Sequence, residues 1–316
     1  MIAARALART VRARQKRGMT VQPDILCIGS VLWDIIGRTP EPMAPGADVP
    51  GRIRRDPGGV ALNIAITLRR FGLTPALLSA VGQDAEGQAL VDACARLGLV
   101  TEHIFRPDDL PTDRYMAIEG AGGLVAAVAD AHTLEAVGDL ILLPLSDGRL
   151  GAADRPWRGP VAIDGNLTAA LLADITASPL FARADLRIAP ASPGKAGRLL
   201  PLLSHPRATL YVNLAEAGTL CQTRFVDAAS AAEGLLARGA ARVLVTDGAR
   251  PCADGQAGSR VLTDCPPPVP VARVTGAGDS FMAAHLVAEL RGADRQAALG
   301  AALRAAADHI SRETPE

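Results

Sequence analysis

The sequence predicts a three-layer α/β/α protein with a mostly parallel central sheet and a small β lid. Three observations predict it. Short apolar segments alternate with helical patterns from Asp24 onward. Apolar residues make up 49% of the 316 residues and aromatics only 3%, enough for a sizeable aliphatic core. One stretch outside the alternation reads as two strands around a glycine turn.

The elements follow in chain order. Residues 25–29 (Ile-Leu-Cys-Ile-Gly) form a buried-type strand ending at glycine. Residues 63–71 read as a helix, with Ile64, Leu68 and Phe71 on one face. Residues 76–81 are the next strand and 87–97 the next helix. Further strands are expected at 160–164, 186–189, 209–213 and 242–246, and an apolar helix at 281–290. Strands alternating with helices imply a largely parallel sheet covered on both faces. Two stretches break the rhythm. Residues 39–57 are rich in Pro, Gly and charge and are read as a loop. Residues 115–118 and 124–128 flank Gly120-Ala-Gly-Gly123 as a hairpin. Together they would build the lid, from segments at about 36–56 and 104–130 within a domain spanning 24–316.

Residues 1–18 carry Arg5, Arg9, Arg12, Arg14, Lys16 and Arg17 and no acid. They are read, with the rest of 1–23, as a basic extension: a disordered tail, a stretch ahead of a true start at Met19, or a targeting segment. The chain has 33 basic and 33 acidic side chains. That balance, with so few aromatics, argues against a nucleic-acid surface, which wants basic stripes and stacking rings. No apolar run approaches the ~18 residues of a membrane span; the strongest, at 140–145, is strand-sized and contains Pro144. Five cysteines without a Cys-x-x-Cys pair argue against a disulfide framework or zinc site, and for a cytoplasmic location.

The segment Val274-Thr-Gly-Ala-Gly-Asp-Ser-Phe281 carries the chemistry. Glycines 276 and 278 let backbone approach a ligand, and unpaired N–H groups at a helix start suit a phosphoryl group. Asp279 stands at the mouth of that pocket. A carboxylate there is awkward unless it accepts a proton from an attacking hydroxyl; the plainer alternative is a helix cap. Asp56-Pro-Gly-Gly-Val-Ala-Leu-Asn63 pairs two glycines, Gly58 and Gly59, with an amide one turn on, suited to a polyhydroxylated ligand. Asp34 lies just beyond the first strand's end, where ligands bind in α/β sheets. The only lysines are Lys16 and Lys195, and ammonium and guanidinium are not interchangeable. A P-loop, a protein-kinase motif set, a Gly-x-Ser-x-Gly elbow, a His-Glu-x-x-His motif and a first-strand Rossmann fingerprint are all absent.

Taken in order, these pieces resemble the ribokinase-like (PfkB) family of sugar and nucleoside kinases over residues 24–308. Gly58-Gly-Val-Ala-Leu-Asn63 looks like its first signature, residues 80–87 like the segment after it, and residues 275–281 like its second. Within the family the sequence is most similar to pseudouridine kinases. The likeness rests on residues 114–119 with the following Gly122-Gly-Leu124, on Asp164-Gly-Asn-Leu-Thr168, on Pro190-Ala-Ser-Pro-Gly-Lys195 and on Asn213-Leu-Ala-Glu-Ala217. It departs at Asp130-Ala-His132, at Ala191 and after Gly248. The resemblance implies phosphoryl transfer from ATP, with Mg²⁺, to the 5′-hydroxyl of a ribosyl compound. It implies Asp279 as base, with Gly276, Ala277 and Gly278 as anion hole. Asp34, Gly58, Gly59, Asn63, Tyr115, Asn166 and Lys195 would hold the acceptor. Asn213, Thr246, Gly248 and Gly278 would face the nucleotide, and Glu216 the metal. A monovalent cation is a further possibility, and pairing of two chains through the lid is expected. The alternatives are another sugar or nucleoside kinase of this fold, or a non-catalytic ligand sensor.

Overall fold

A computed structural model of the chain describes residues 22–44, 46–271 and 275–311. The basic stretch at 1–18 with Met19, and Val274 of the glycine-turn segment, lie outside the described residues.

Twelve strands form two sheets among the described residues. The central sheet contains β1 (Ile25–Ile28), β4 (Pro75–Leu78), β7 (Pro160–Asp164), β8 (Asp185–Ala189), β9 (Ala208–Asn213), β10 (Arg242–Thr246), β11 (Cys252–Gln256) and β12 (Leu262–Asp264). Its order is 12-11-10-9-8-7-1-4. The run from β10 to β4 is parallel, and β11 and β12 add an antiparallel edge. Strand residues alternate between two cores, as the two-residue period of a pleated strand requires. Leu26 and Ile28 join Leu171, Leu199 and Leu235 on one face. Ile25 and Cys27 join Leu62, Leu68, Phe281 and Leu299 on the other. Both faces are covered, which is the three-layer arrangement the sequence predicts.

The second core is closed by four helices: α1 (Val60–Arg70), α2 (Ala85–Arg96), α7 (Ala277–Leu290) and α8 (Arg295–Ser311). The first is closed by α3 (His132–Val137), α4 (Ala169–Ala177), α5 (Leu214–Cys221) and α6 (Ala228–Ala237) with two 3₁₀ stretches, Gly138–Leu145 and Pro193–Leu202. The apolar run at 140–145 is therefore helical, not a strand. Three 3₁₀ residues per turn put Ile141, Pro144 and Leu145 inward and leave Leu140 and Leu143 about 41% exposed.

The second sheet has the order β3 (Arg52–Gly58), β2 (Leu32–Arg38), β5 (Arg114–Gly120), β6 (Gly123–Asp130). The β5–β6 hairpin turns at the expected glycines. The loop expected at 39–57 is corrected: residues 52–57 belong to β3. Pro57 lacks the N–H that a central strand needs, but β3 is an edge strand, where proline is tolerated. Strands of this sheet begin at Leu32 and Arg114, compared with the 36 and 104 set from sequence.

A buried ionic cluster fixes α7 to the sheet. The Arg187 guanidinium donates to the Tyr211 hydroxyl at 3.0 Å and pairs with Asp185 and Glu289. Arg242 pairs with Glu289 and Asp254, and Arg295 also reaches Asp254. Buried charges persist only when paired in this way. Burial holds the His285 imidazole down to about 4, so the ring is neutral, with Nδ1 2.9 Å from the Tyr211 hydroxyl. Two positions of α7, His285 and Glu289, are thereby anchored, and Phe281 packs edge-on against Tyr211 with ring centroids 6.4 Å apart. Together they set the register of Asp279 at the helix start.

Candidate active site

The C-terminal ends of β1, β7, β8, β9 and β10 lie along one edge of the parallel sheet, where ligands bind in such folds. Helix α1 begins without a local cap: Gly59 has φ 102 and no side-chain cap bond. Its free N–H groups are met from distant loops. Val60 N–H donates to Ser30 Oγ at 2.9 Å and Ala61 N–H to Asp164 Oδ2 at 3.0 Å. Asp164, fully buried, also accepts from Ser30 N–H, Ser30 Oγ–H and Asn166 N–H. Asn166 donates to Ser30 Oγ at 2.8 Å and accepts from Lys195 Nζ at 2.7 Å. Burial, then the neighbouring Arg198, lowers the Lys195 pKa. Ser30, Asp164, Asn166 and Lys195 thus form one polar chain from the end of β1 across the end of β7 to the 3₁₀ stretch after β8. Sequence reasoning selected Asn166 and Lys195 but missed Ser30 and Asp164. The signal was present, since Asp164 opens the same Asp-Gly-Asn string.

The two adjacent glycines are required by space. A Cβ on Gly58 would fall inside the Asp34 carboxylate, and one on Gly59 would strike the Ser30 carbonyl. Asp34 lies within β2, not in a loop, and is cross-strand neighbour to Asp56 and Tyr115. These three side chains therefore share a face. Burial, then the Asp56 charge, pushes the Asp34 carboxyl up to about 6. Tyr115 is raised by burial and then by Asp34.

Helix α7, like α1, starts on a glycine with no side-chain cap. Side chains cap α2 (Asp84), α4 (Thr168), α5 (Asn213) and α6 (Asp227). At α7 the cap is Gly276, φ 84, with no side-chain hydrogen bond. Its first N–H groups are left for a ligand, and the helix dipole favours an anion there. Asp279 sits in that first turn, so it is not the helix's cap. Its carboxylate is hydrogen-bonded by Asn63 of α1. Burial first, then the charges of Asp164, Asp34 and Glu216, raise its pKa to about 7, while the Asn63 bond pulls the other way. A carboxyl poised near neutrality, beside bare N–H groups, has what proton abstraction at an anion site needs.

At the ends of β9 and β10, a groove of about 760 Å³ is lined by Asn213, Arg224, Phe225, Thr246, Asp247 and Arg250. That volume lies in the range of small-ligand sites. Gly248, φ 60, follows directly in the turn after β10. Asn213 and Glu216 form a capping box at the start of α5: Asn213 N–H donates to Glu216 Oε2 at 2.8 Å, and Glu216 N–H to Asn213 Oδ1 at 2.9 Å. One Glu216 oxygen is thus engaged, and the other is the carboxylate oxygen that could hold a cation. Among the described residues no group of three or more His, Cys, Asp or Glu side chains could hold a metal alone. A single carboxylate fits the Mg²⁺ habit of relying on water and substrate phosphates. No described helix is long and apolar enough to cross a membrane.

Residues 22–315 match the pfkB family of carbohydrate kinases. A pseudouridine kinase of Escherichia coli is 31% identical over 114 residues, 36% of this chain and 36% of that protein. The aligned stretch thus spans about a third of that relative. A carbohydrate kinase from Agrobacterium tumefaciens superposes with TM-score 0.73 at 27% identity, over 90% of this chain and 89% of that one. Arabidopsis thaliana ribokinase, solved with ribose and ATP, shares the fold with TM-score 0.72 at 17% identity, over 93% and 94%.

Proposed function

The chain belongs to the pfkB family of carbohydrate kinases, and we propose that it transfers the γ-phosphoryl group of ATP to the 5′-hydroxyl of pseudouridine in the cytoplasm. The observation that carries the reading is Asp279: a carboxyl raised to about 7, at an uncapped helix start, hydrogen-bonded to Asn63 and within reach of the charges of Asp164, Asp34 and Glu216.

Phosphoryl transfer asks the protein for positioning and charge stabilisation, with little covalent help. Asp34 and Asn63 accept and donate hydrogen bonds to the ribose hydroxyls, and Gly58 and Gly59 let the ribose lie against backbone. Tyr115, on the Asp34 face of the second sheet, covers it. The sheet closes over the acceptor and excludes water, the competing nucleophile. Asp279 takes the 5′-hydroxyl proton. The N–H groups of Gly276, Ala277 and Gly278 stabilise charge on the transferred group. Asn213, Thr246 and Gly248 border the nucleotide. Mg²⁺, held through Glu216 and water, would neutralise phosphate charge. Pseudouridine is favoured because Lys195 and Asn166 offer fixed donors for uracil carbonyls, and because the E. coli relative is named a pseudouridine kinase.

Two copies pair through the second sheet in this reading. Its outer face presents Ile53, Met116 and Val128, which are 79%, 52% and 68% exposed and lie on one side of the register. Covering such a stripe, and the free edges of β3 and β6, answers the edge-pairing hazard. A monomer by light scattering at micromolar concentration would refute it.

Product identification tests the function: ATP and Mg²⁺ with pseudouridine, against uridine, ribose and fructose 6-phosphate. Pseudouridine 5′-phosphate as the fastest-formed product supports the reading. A faster hexose or ribose product reassigns the acceptor. Tight nucleoside binding without any ADP makes the chain a sensor.

A further inference from the structure

The glycine turn is braced from behind by a residue that the proposed chemistry does not use. His309 lies near the end of α8, and its ring is only partly exposed. Its Nε2 is 2.8 Å from the Thr275 carbonyl oxygen. Its Nδ1 is 2.9 Å from Ser280 Oγ. A carbonyl only accepts, so Nε2 carries the proton, and in the neutral ring Nδ1 accepts from the Ser280 hydroxyl. The two anchor points flank the catalytic residues: Thr275 precedes Gly276, and Ser280 follows Asp279. The ring also lies flush with the turn. A Cβ on Gly276 would come 3.0 Å from both Cε1 and Nε2 of His309. Ser280 is 4% exposed, and its N–H donates to the Gly276 carbonyl at 3.0 Å, closing the turn on itself.

We propose that His309 is a positioning residue for phosphoryl transfer. By bridging Thr275 and Ser280 it fixes the orientation of the Gly276–Gly278 N–H groups and the placement of Asp279. The inference rests on the kinase reading for its catalytic part and on geometry alone for the bracing of the turn. The Gly276 cap of α7 has no side-chain hydrogen bond of its own. A turn of glycines and alanine left unbraced would sample other backbone angles at little cost. Misplacement by about 1 Å at a reacting centre costs roughly 10²-fold in rate.

The test uses the full chain with His309→Ala, His309→Gln and His309→Phe. Glutamine can offer one donor and one acceptor, whereas phenylalanine fills the ring's space with neither. Turnover and hydrogen–deuterium exchange of the peptide covering 275–281 are read together. The expected result for His309→Ala is a kcat lower by about 10–100-fold. Both KM values stay within about threefold of the wild type, since substrate contacts are intact. Exchange in the peptide rises, and thermal unfolding moves little. His309→Gln restores most of the turnover and protection, and His309→Phe restores neither. Rescue by phenylalanine as good as by glutamine would assign the effect to packing and overturn the proposal. So would His309→Ala with normal kcat and normal exchange. If the wild type phosphorylates no acceptor, the kinase reading fails by itself. Exchange then still decides the bracing, and unchanged protection in His309→Ala overturns it.

Discussion

Removing the Asn63 amide while keeping its bulk, as in Asn63→Leu, tests what sets the Asp279 ionisation. Asn63 donates to the Asp279 carboxylate and holds it down against burial and three neighbouring acids. A hydrogen bond to a charged group contributes ~1.5–3 kcal/mol. At ~1.36 kcal/mol per pKa unit that is about one to two units. Asp279 would then titrate at about 8–9, one to two units above its present value of about 7. The base works only when deprotonated, so the acid limb of kcat moves up with it. At pH 7 the ionised fraction falls from about half to roughly 1–9%, a loss of about 5–50-fold that raising the pH recovers. The assay is ADP release at saturating acceptor from pH 5.5 to 9.5, with acceptor KM read separately because Asn63 also faces the ribose. An acid limb that stays put, or shifts downward, would refute the reasoning.

Other outcomes follow from the same geometry. Gly58→Ala puts a methyl group where the Asp34 carboxylate stands; acceptor KM should rise about 10–100-fold, with ATP KM little changed, in steady-state kinetics. Arg187→Met removes the cation between Asp185 and Glu289 while Arg242 still pairs with Glu289; chemical denaturation should show a loss of about 1–3 kcal/mol. Asp279→Asn should raise thermal stability at neutral pH. The folded pKa of about 7 lies above the ordinary 3.8, so the ionised carboxyl destabilises increasingly from pH 4 to 7 and constantly above. The melting-temperature gain should be a few degrees at pH 8 and vanish below about pH 4.

What was legible in the sequence follows the periodicity of the chain. The parallel strands β1, β7, β9 and β10 are continuous apolar runs and stand within a residue of their expected places. The glycine pair and the glycine turn were legible because only glycine fits against Asp34, Ser30 and His309. The strands β2 and β3 were not, because Asp34, Asp56 and Pro57 interrupt any alternation, and edge position is decided by topology. Ser30 and Asp164 escaped for a different reason. Their bond joins residues 134 apart, and a single short polar residue at a strand end carries no periodic signal. His309 was invisible likewise: its partners lie 29 and 34 residues away, across a helix–helix contact. Corners of the site built by long-range polar contacts need the fold before they can be seen.

The most direct measurement is single-turnover phosphoryl transfer by Asp279→Asn, paired with calorimetric binding of acceptor and nucleotide. The account predicts transfer slowed by about 10²–10⁴-fold with both affinities within a few-fold of the wild type. Transfer at a near-normal rate would mean that another group takes the proton, and would contradict it.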